Sequence, residues 1–205
     1  MTTGGYRSSV AEWSSDPQAI RATLPGAAIT LANAEVPFAL AGGMAAWARG
    51  GPETAHDIDF VVRPADAPLA LAALAEAGLR SEPAPDDSWI FKSWDGDVLI
   101  DVIVHMIGVD IGTILEGAEI IEVLGVGMPV MTMEHVFITK LNAIDEQSLD
   151  LAGPLKLARA VHDQQVDWGS VRRATAGSAF AASFFTLVER LGIVPTPDSP
   201  APAVT

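Results

Sequence analysis

Cysteine is absent from the 205 residues of this chain. Without cysteine there is no disulfide scaffold, no thiolate zinc site and no cysteine nucleophile, so any chemistry must come from carboxylates, histidines, hydroxyls or lysines. Hydrophobic residues make up 49% and charged residues 19%, which fits neither a disordered chain nor a coiled coil. The length is typical of one domain, or of a catalytic domain with a small helical extension.

Basic residues are scarce, with 12 Lys and Arg against 26 Asp and Glu and a formal net charge of -14. Such a charge repels nucleic acids and anionic membranes at long range, so we do not expect a general DNA binder. The longest uncharged apolar run, Val36 to Ala48, is too short to span a bilayer, and the first residues contain no apolar signal segment. We therefore expect a soluble cytoplasmic protein without a membrane partner.

Several common catalytic motifs are also missing. The chain contains no G-x-x-x-x-G-K-[ST] phosphate loop, no G-x-S-x-G nucleophile turn and no H-E-x-x-H metal helix. Gly125-Val126-Gly127 begins like a dinucleotide-binding loop, but Pro129 follows where a helix belongs. The chemistry must therefore be sought in less familiar patterns.

The residue pattern divides the chain into an α/β half and an all-helical half. Strand and helix signals alternate up to residue 132, and helical periodicity without strand signal continues from 133 to 192. This periodicity predicts helices near 133–145, 150–164, 167–175 and 178–191. The small polar residues 1–15 predict a flexible arm, and the Pro-rich segment 193–205 predicts a disordered tail.

Two carboxylates lie on one predicted strand, Asp57 to Val62. Side chains alternate along a strand, so Asp57 and Asp59 share one face while Ile58 and Phe60 point to the core. Adjacent carboxylates on a rigid backbone repel one another unless a cation lies between them or water screens them. The pattern is typical of a Mg²⁺ site, and a solvated strand face that carries two acids is the alternative.

A third carboxylate favours the metal site. Asp101 interrupts the apolar run Val98 to Val104, which predicts a buried central strand, and an unpaired buried carboxylate is costly. If this strand lies beside the Asp57 strand, the three acids converge as two-metal phosphoryl-transfer sites require. Upstream, Gly42-Gly43 stands at a strand-to-helix junction, where main-chain N–H groups can approach an anion such as a triphosphate.

These residues carry a resemblance to a known family. The segment AGGMAAWARGGPETAHDIDFVV resembles the signature of the nucleotidyltransferase superfamily related to DNA polymerase β, in which a Gly-Gly or Gly-Ser pair precedes Asp-x-Asp at about this spacing. The segments SWDGDVLIDVI, EHVFITKLNAIDEQSLDL and VDWGSVRRATAGSAFAASFF resemble bacterial nucleotidyltransferases of mostly unassigned substrate. The resemblance, over residues 36–191, implies an α/β (α+β) nucleotidyltransferase fold. That fold has a mixed sheet flanked by helices within 1–132, followed by a C-terminal helical bundle at 133–192.

The resemblance also implies a role for each residue. Gly42 and Gly43 would hold the triphosphate of an NTP such as ATP. Asp57 and Asp59 would coordinate Mg²⁺, with a two-ion site expected. Asp101 would complete the metal site and act as base on the acceptor. The implied reaction moves an NMP from an NTP to a hydroxyl or phosphate acceptor and releases pyrophosphate.

Two basic residues are candidates for nucleotide binding. In the resembling families a lysine at the place of Lys140 contacts the phosphates, whereas a purely structural lysine there would extend from an apolar face to water. Related members often carry Arg-x-Thr-x-Asp before the acid pair, but Glu53 stands in place of that arginine, with Thr54 next to it. Arg49 is the candidate to supply the missing charge.

The departure at Glu53 supports a second hypothesis. A catalytically weak or inactive relative could bind a nucleotide or a partner protein, for example as one component of a toxin-antitoxin pair. The presence of all three carboxylates favours the enzyme. The net charge slightly favours a small-molecule acceptor, such as an antibiotic-like alcohol, over tRNA. His105 shares the predicted Asp101 face and is a further candidate for the acceptor site.

Overall fold

A seven-stranded mixed sheet forms the centre of the structure, a computed structural model that describes residues 16–54, 57–85, 87–162 and 166–196. The predicted arm at 1–15 and residues 197–205 of the predicted tail lie outside the described residues. Val194, from the start of that predicted tail, is described and is buried against the core. None of the helices in these four ranges is both long and apolar enough to cross a membrane.

The strands run in chain order as β1 (Phe38–Leu40), β2 (Ile58–Val62), β3 (Arg80–Ser81), β4 (Ile90–Asp95), β5 (Val98–Ile103), β6 (Glu119–Val123) and β7 (Val126–Val130). Their order across the sheet is β3-β4-β5-β2-β1-β7-β6. β2 and β5 are parallel, as are β1 and β7, and the remaining neighbours are antiparallel. The sheet is therefore mixed, as the resemblance implied.

The helices are α1 (Pro17–Asn33), α2 (Gly42–Ala48), α3 (Ala67–Glu76), α4 (Ile111–Gly117), α5 (Met133–Asn142), α6 (Ala152–Ala160), α7 (Trp168–Ala174) and α8 (Ala179–Arg190). The last four are the helices that the periodicity of the second half predicts. Side-chain oxygens accept main-chain N–H groups at several helix starts, as Thr132 does for His135 at α5. Such caps satisfy N–H groups that have no partner inside the helix.

Two hairpins lie in the sheet, β4–β5 and β6–β7. β4 and β5 pair with Asp95 opposite Val98, which leaves Gly96 and Asp97 as a two-residue turn. In the β6–β7 hairpin, the turn residues Leu124 and Gly125 both have positive φ, of 54° and 81°. Positive φ at both central residues is the type I′ geometry, whose twist matches that of the flanking strands.

One hydrophobic core joins the two halves of the chain. It contains Phe60 from the sheet together with Phe137 and Phe184 from the helices, all fully buried. The rings of Phe137 and Phe184 lie 6.4 Å apart, centroid to centroid. The α/β fold class is confirmed, and the helices from α5 onward pack on the same core as the sheet.

Candidate metal and nucleotide site

The pairing of β2 with β5 brings the three predicted carboxylates together. Asp59 lies directly opposite Asp101 in the parallel register, and Asp57 immediately precedes β2. One carboxylate oxygen from each of the three residues lies within 4.8 Å of the other two. Asp101 is 4% exposed, whereas Asp57 and Asp59 are half-buried.

The electrostatics of this cluster call for a cation. Burial, followed by the charges of Asp57 and Asp101, raises the pKa of Asp59 to about 8. Burial also raises the pKa of Asp101, although the Lys92 ammonium opposes that shift. Both shifts mean that the folded protein disfavours the ionised carboxylates. A divalent cation between them would reverse that preference, and carboxylate oxygens are ligands that Mg²⁺ prefers. The cluster therefore fits a magnesium site.

Lys92 is a site residue that the sequence reasoning missed. Its Nζ lies 3.1 Å from Oδ1 of Asp101, with which it forms a hydrogen bond and an ion pair. The β4–β5 pairing places Lys92 directly opposite Asp101. The sequence favours a turn at Asp95-Gly96, which would set Lys92 opposite Leu99. The turn at Gly96-Asp97 shifts the register and brings Lys92 opposite Asp101. Lys92 thus compensates part of the cost of burying Asp101.

The Gly42-Gly43 pair lies against the carboxylate cluster. Gly42 has a φ of +58°, and a Cβ at this position would lie 1.7 Å from Oδ2 of Asp59. A Cβ at Gly43 would lie 2.7 Å from Oγ1 of Thr54. Neither position has room for a side chain, and the first also has the backbone geometry that favours glycine. The start of α2 is therefore held beside Asp59.

Arg49 is engaged by main-chain carbonyls and a glutamate within the fold. Its Nε and Nη2 donate hydrogen bonds to the carbonyl oxygens of Met131 and Val130, at 2.7 and 2.9 Å. Its Nη1 bonds Glu119 at 2.8 Å, and the side chain is 14% exposed. Because three guanidinium nitrogens are engaged within the fold, we withdraw the expectation that Arg49 supplies charge to a nucleotide. It fastens α2 to the end of β7.

Glu53, which stands in the place of the usual arginine, forms an ion pair with Arg21 of α1. Arg21 also lies over the ring of Trp47, 5.3 Å from its centroid. An arginine therefore contacts the loop that contains Glu53, but it comes from α1 and is paired with Glu53.

Lys140, the predicted nucleotide contact, lies near the carboxylate cluster. It is half-buried on α5, and its charge lowers the pKa of Asp59. Lys140 stands between two cavities: one of about 420 Å³ toward the end of β5, and a smaller one of about 210 Å³ toward α6, which Ser148 and Asp150 also line. A cation in this position can meet an anionic ligand bound beside the carboxylates.

Comparison with known proteins identifies the fold of this chain. No protein-family model matches the chain, and no curated protein matches it in sequence. Among solved structures, the antibiotic-resistance factor ANT(2'')-Ia matches with a TM-score of 0.61 at 17% sequence identity, over 86% of this chain and 99% of that one. This chain has the nucleotidyltransferase fold.

Two further structures with the nucleotidyltransferase fold match to a smaller degree. An antigenic nucleotidyltransferase-like protein from Paracoccidioides brasiliensis matches with a TM-score of 0.51 at 13% identity, over 87% of this chain and 90% of that one. The complex of ANT(2'')-Ia with adenylyl-2''-tobramycin matches with a TM-score of 0.50 at 19% identity, over 82% and 97% of the two chains. At these identities the nucleotidyltransferase fold is what the chains share, so chemistry must be argued from the residues.

Proposed function

We propose that this protein transfers a nucleoside monophosphate from an NTP to a hydroxyl or phosphate group of a small molecule and releases pyrophosphate, in a magnesium-dependent reaction. One observation carries the proposal: Asp57, Asp59 and Asp101 converge beside the Gly42-Gly43 turn of a nucleotidyltransferase fold. Three acids held this close, with a raised pKa at the central one, are costly unless they serve a cation.

Asp57, Asp59 and Asp101 would hold the Mg²⁺. When bound, the metal would neutralise the negative charge that develops on the phosphates during transfer. A two-ion site remains our expectation, because three carboxylates supply more ligand oxygens than one ion needs from protein. The fold supplies a rigid support, since Asp59 and Asp101 come from paired neighbouring strands.

The other residues would position the substrates. The start of α2 at Gly42-Gly43 would receive the triphosphate, since no Cβ stands between its backbone and a ligand. Lys140 would neutralise phosphate charge from the opposite wall. Asp101 would accept the proton of the attacking hydroxyl, while Lys92 holds its Oδ1 in place. Positioning and electrostatics are the main contributions that a protein makes to phosphoryl transfer.

Two observations favour a small acceptor. The net charge of -14 disfavours a polyanion such as tRNA. In addition, ANT(2'')-Ia, which shares the fold, was solved in complex with an adenylylated small molecule, adenylyl-2''-tobramycin.

Transfer of label tests the proposal. The protein is incubated with Mg²⁺, each α-labelled NTP in turn and a cell extract, and the labelled product is separated into RNA, protein and small molecules. We expect label in the small-molecule fraction from wild type and none from Asp59→Asn. Asp97→Asn is the matched control, because Asp97 is an exposed acid in the turn at the other end of β5.

The outcomes separate the two hypotheses for this fold. Transfer that survives Asp59→Asn would contradict the metal site. Binding of Mg²⁺ and NTP without transfer to any fraction would support the alternative of an inactive relative that binds nucleotide or a partner protein. The pair of Arg21 with Glu53, in place of an arginine on the loop itself, is the feature that favours that alternative.

A further inference from the structure

A cavity of about 420 Å³ opens between the end of β5 and α5. Its walls are mainly apolar and include Trp89, Ile103, Met106, Ile107, Thr139 and Ala143. His105 and Lys140 line it as well and, together with Thr139, are its polar side chains. A concave, largely apolar space of this size with a few polar groups is the usual composition of a small-molecule site.

The backbone around this cavity is held firmly, although its largest side chains are exposed. Trp89 is 57% and Ile107 is 54% exposed. The N–H of Val104 donates to the carbonyl of Trp89 at 3.0 Å, which ties the segment before β4 to the end of β5. Gly108 packs so closely on α5 that a Cβ there would lie 2.1 Å from Nδ2 of Asn142. The exposed side chain of Trp89 is therefore attached to a backbone that is held in place, as is usual in a binding site.

The position of the cavity relative to the carboxylates indicates which of the two substrates it would bind. Across the sheet, β1 leads to Gly42-Gly43, β2 carries Asp59, and β5 carries Asp101. A triphosphate at Gly42-Gly43 lies on the β1 side of Asp59. An in-line displacement requires the acceptor to approach from the side opposite to the leaving pyrophosphate. The opposite side is that of β5, where Ile103 follows Asp101 on the same strand face and lines the cavity.

We propose that this cavity binds the acceptor, and that the acceptor is a neutral alcohol with an aromatic or aliphatic body. The inference rests on the proposed nucleotidyl transfer and defines its substrate class. The hydroxyl would lie at the Asp101 end, and the apolar body would pack between Trp89 and the α5 wall. The bond that forms joins the acceptor oxygen to the α-phosphorus, the bond to pyrophosphate breaks, and Asp101 takes the hydroxyl proton.

The charges around the cavity exclude a polycation such as tobramycin, which carries several amino groups. None of the described residues that line the cavity has a carboxylate, and Lys140 adds a positive charge to its wall. Ammonium groups placed there would lose water without gaining an acceptor for their protons. The net negative charge of the chain attracts cations at long range, but the affinity of a ligand for the cavity depends on the residues that line it.

A binding experiment without metal or nucleotide tests the cavity by itself. The probe is 2-(4-hydroxyphenyl)ethanol, followed by saturation-transfer NMR, with tobramycin as the polycationic comparison. We expect the alcohol to bind and Trp89→Ala to weaken binding about tenfold, through loss of ring contact and apolar area. The control is Ile120→Ala, because Ile120 is a 71% exposed apolar residue on β6 at the far edge of the sheet. That variant should bind like wild type.

Wild type, Trp89→Ala and Ile120→Ala are then incubated with Mg²⁺ and α-labelled ATP, with either 2-(4-hydroxyphenyl)ethanol or tobramycin as the acceptor. Label on 2-(4-hydroxyphenyl)ethanol that falls in Trp89→Ala but not in Ile120→Ala supports the assignment. Absence of binding, binding that ignores Trp89→Ala, or label on tobramycin instead would overturn it. Label on tobramycin would still support nucleotidyl transfer. Conversely, the protein could bind the alcohol at Trp89 but bind neither Mg²⁺ nor NTP. That result would refute the proposed function and leave the cavity as a binding site for alcohols.

Discussion

Substitution of Gly42 by alanine tests the site where its packing is tightest. The added Cβ would lie 1.7 Å from Oδ2 of Asp59, and real Cβ contacts essentially never fall below 3.0 Å. The carboxylate must therefore move by at least about 1.3 Å, which is the difference between these two distances. The backbone φ of +58° adds strain, because an L side chain rarely adopts that conformation.

The expected size follows from these two effects. A left-handed non-glycine residue costs about 1 to 2 kcal/mol, and a carboxylate forced off its rotamer costs about 1 kcal/mol more. A sum of about 2 to 3 kcal/mol corresponds to a fall in melting temperature of about 5 to 10 °C for a chain of this length. Transfer should fall about 100-fold, since a displacement of about 1 Å in a catalytic group has that effect.

Thermal unfolding of four variants separates strain from steric clash. Gly96→Ala is the control, because its φ is +57° and nothing lies within 4 Å of the added Cβ. It should lose stability through strain alone and keep its activity. In an Asp59→Ala background the clashing carboxylate is gone and only the Cβ of residue 59 remains, 3.2 Å away, so Gly42→Ala should cost much less than in wild type and only slightly more than Gly96→Ala does. An equal cost of Gly42→Ala with and without the Asp59 carboxylate would refute the reasoning.

Four further predictions concern the charges of the site. Above a pH of about 8, where Asp59 is ionised, Asp59→Asn should stabilise the metal-free protein against urea, because one of three neighbouring negative charges is removed; a less stable variant would mean that the acids hold the fold together. At pH 7, Mg²⁺ binding should release a proton, because a pKa of about 8 keeps Asp59 protonated until the cation arrives. Calorimetry in two buffers measures that proton release, and binding without proton release would contradict the assignment of Asp59 to the metal site. By the same linkage, the metal-free protein should lose stability as the pH rises from about 4 through about 8, since the folded state binds the extra proton. Lys92→Met should move the acid limb of the pH–rate profile to higher pH, because Asp101 loses the charge that lowers its pKa; an unchanged limb would exclude Asp101 as the base.

The carboxylates were predictable because their signal is local. Alternation along one strand places Asp57 and Asp59 together, and an acid inside an apolar run is conspicuous at Asp101. That β2 and β5 are neighbours is a long-range property, and only the family resemblance supplied it. The apolar lining of the cavity was also invisible, since α5 and the end of β5 meet only in the folded chain.

Some local features were missed for reasons that the structure explains. An internal proline usually breaks a helix, but α1 continues through Pro25 and buries Ile20, Leu24 and Leu31 along one face. Burial of that face offsets the lost hydrogen bond of an internal proline. The short helix α4 lacks a long periodic pattern, and its clearest local mark is the Asp110 side chain, which accepts the N–H of Thr113.

The hydrogen bonds of Arg49 have a consequence for how such a site can change during evolution. Arg49 ends the helix that starts at Gly42, and it binds the carbonyls just before the helix that carries Lys140. One side chain therefore ties together the two elements that would face a nucleotide in the proposed function. A relative without this arginine needs another hydrogen-bond donor for those carbonyls and another partner for Glu119. Positions 49 and 119 are thus expected to vary together among relatives, although neither touches the chemistry.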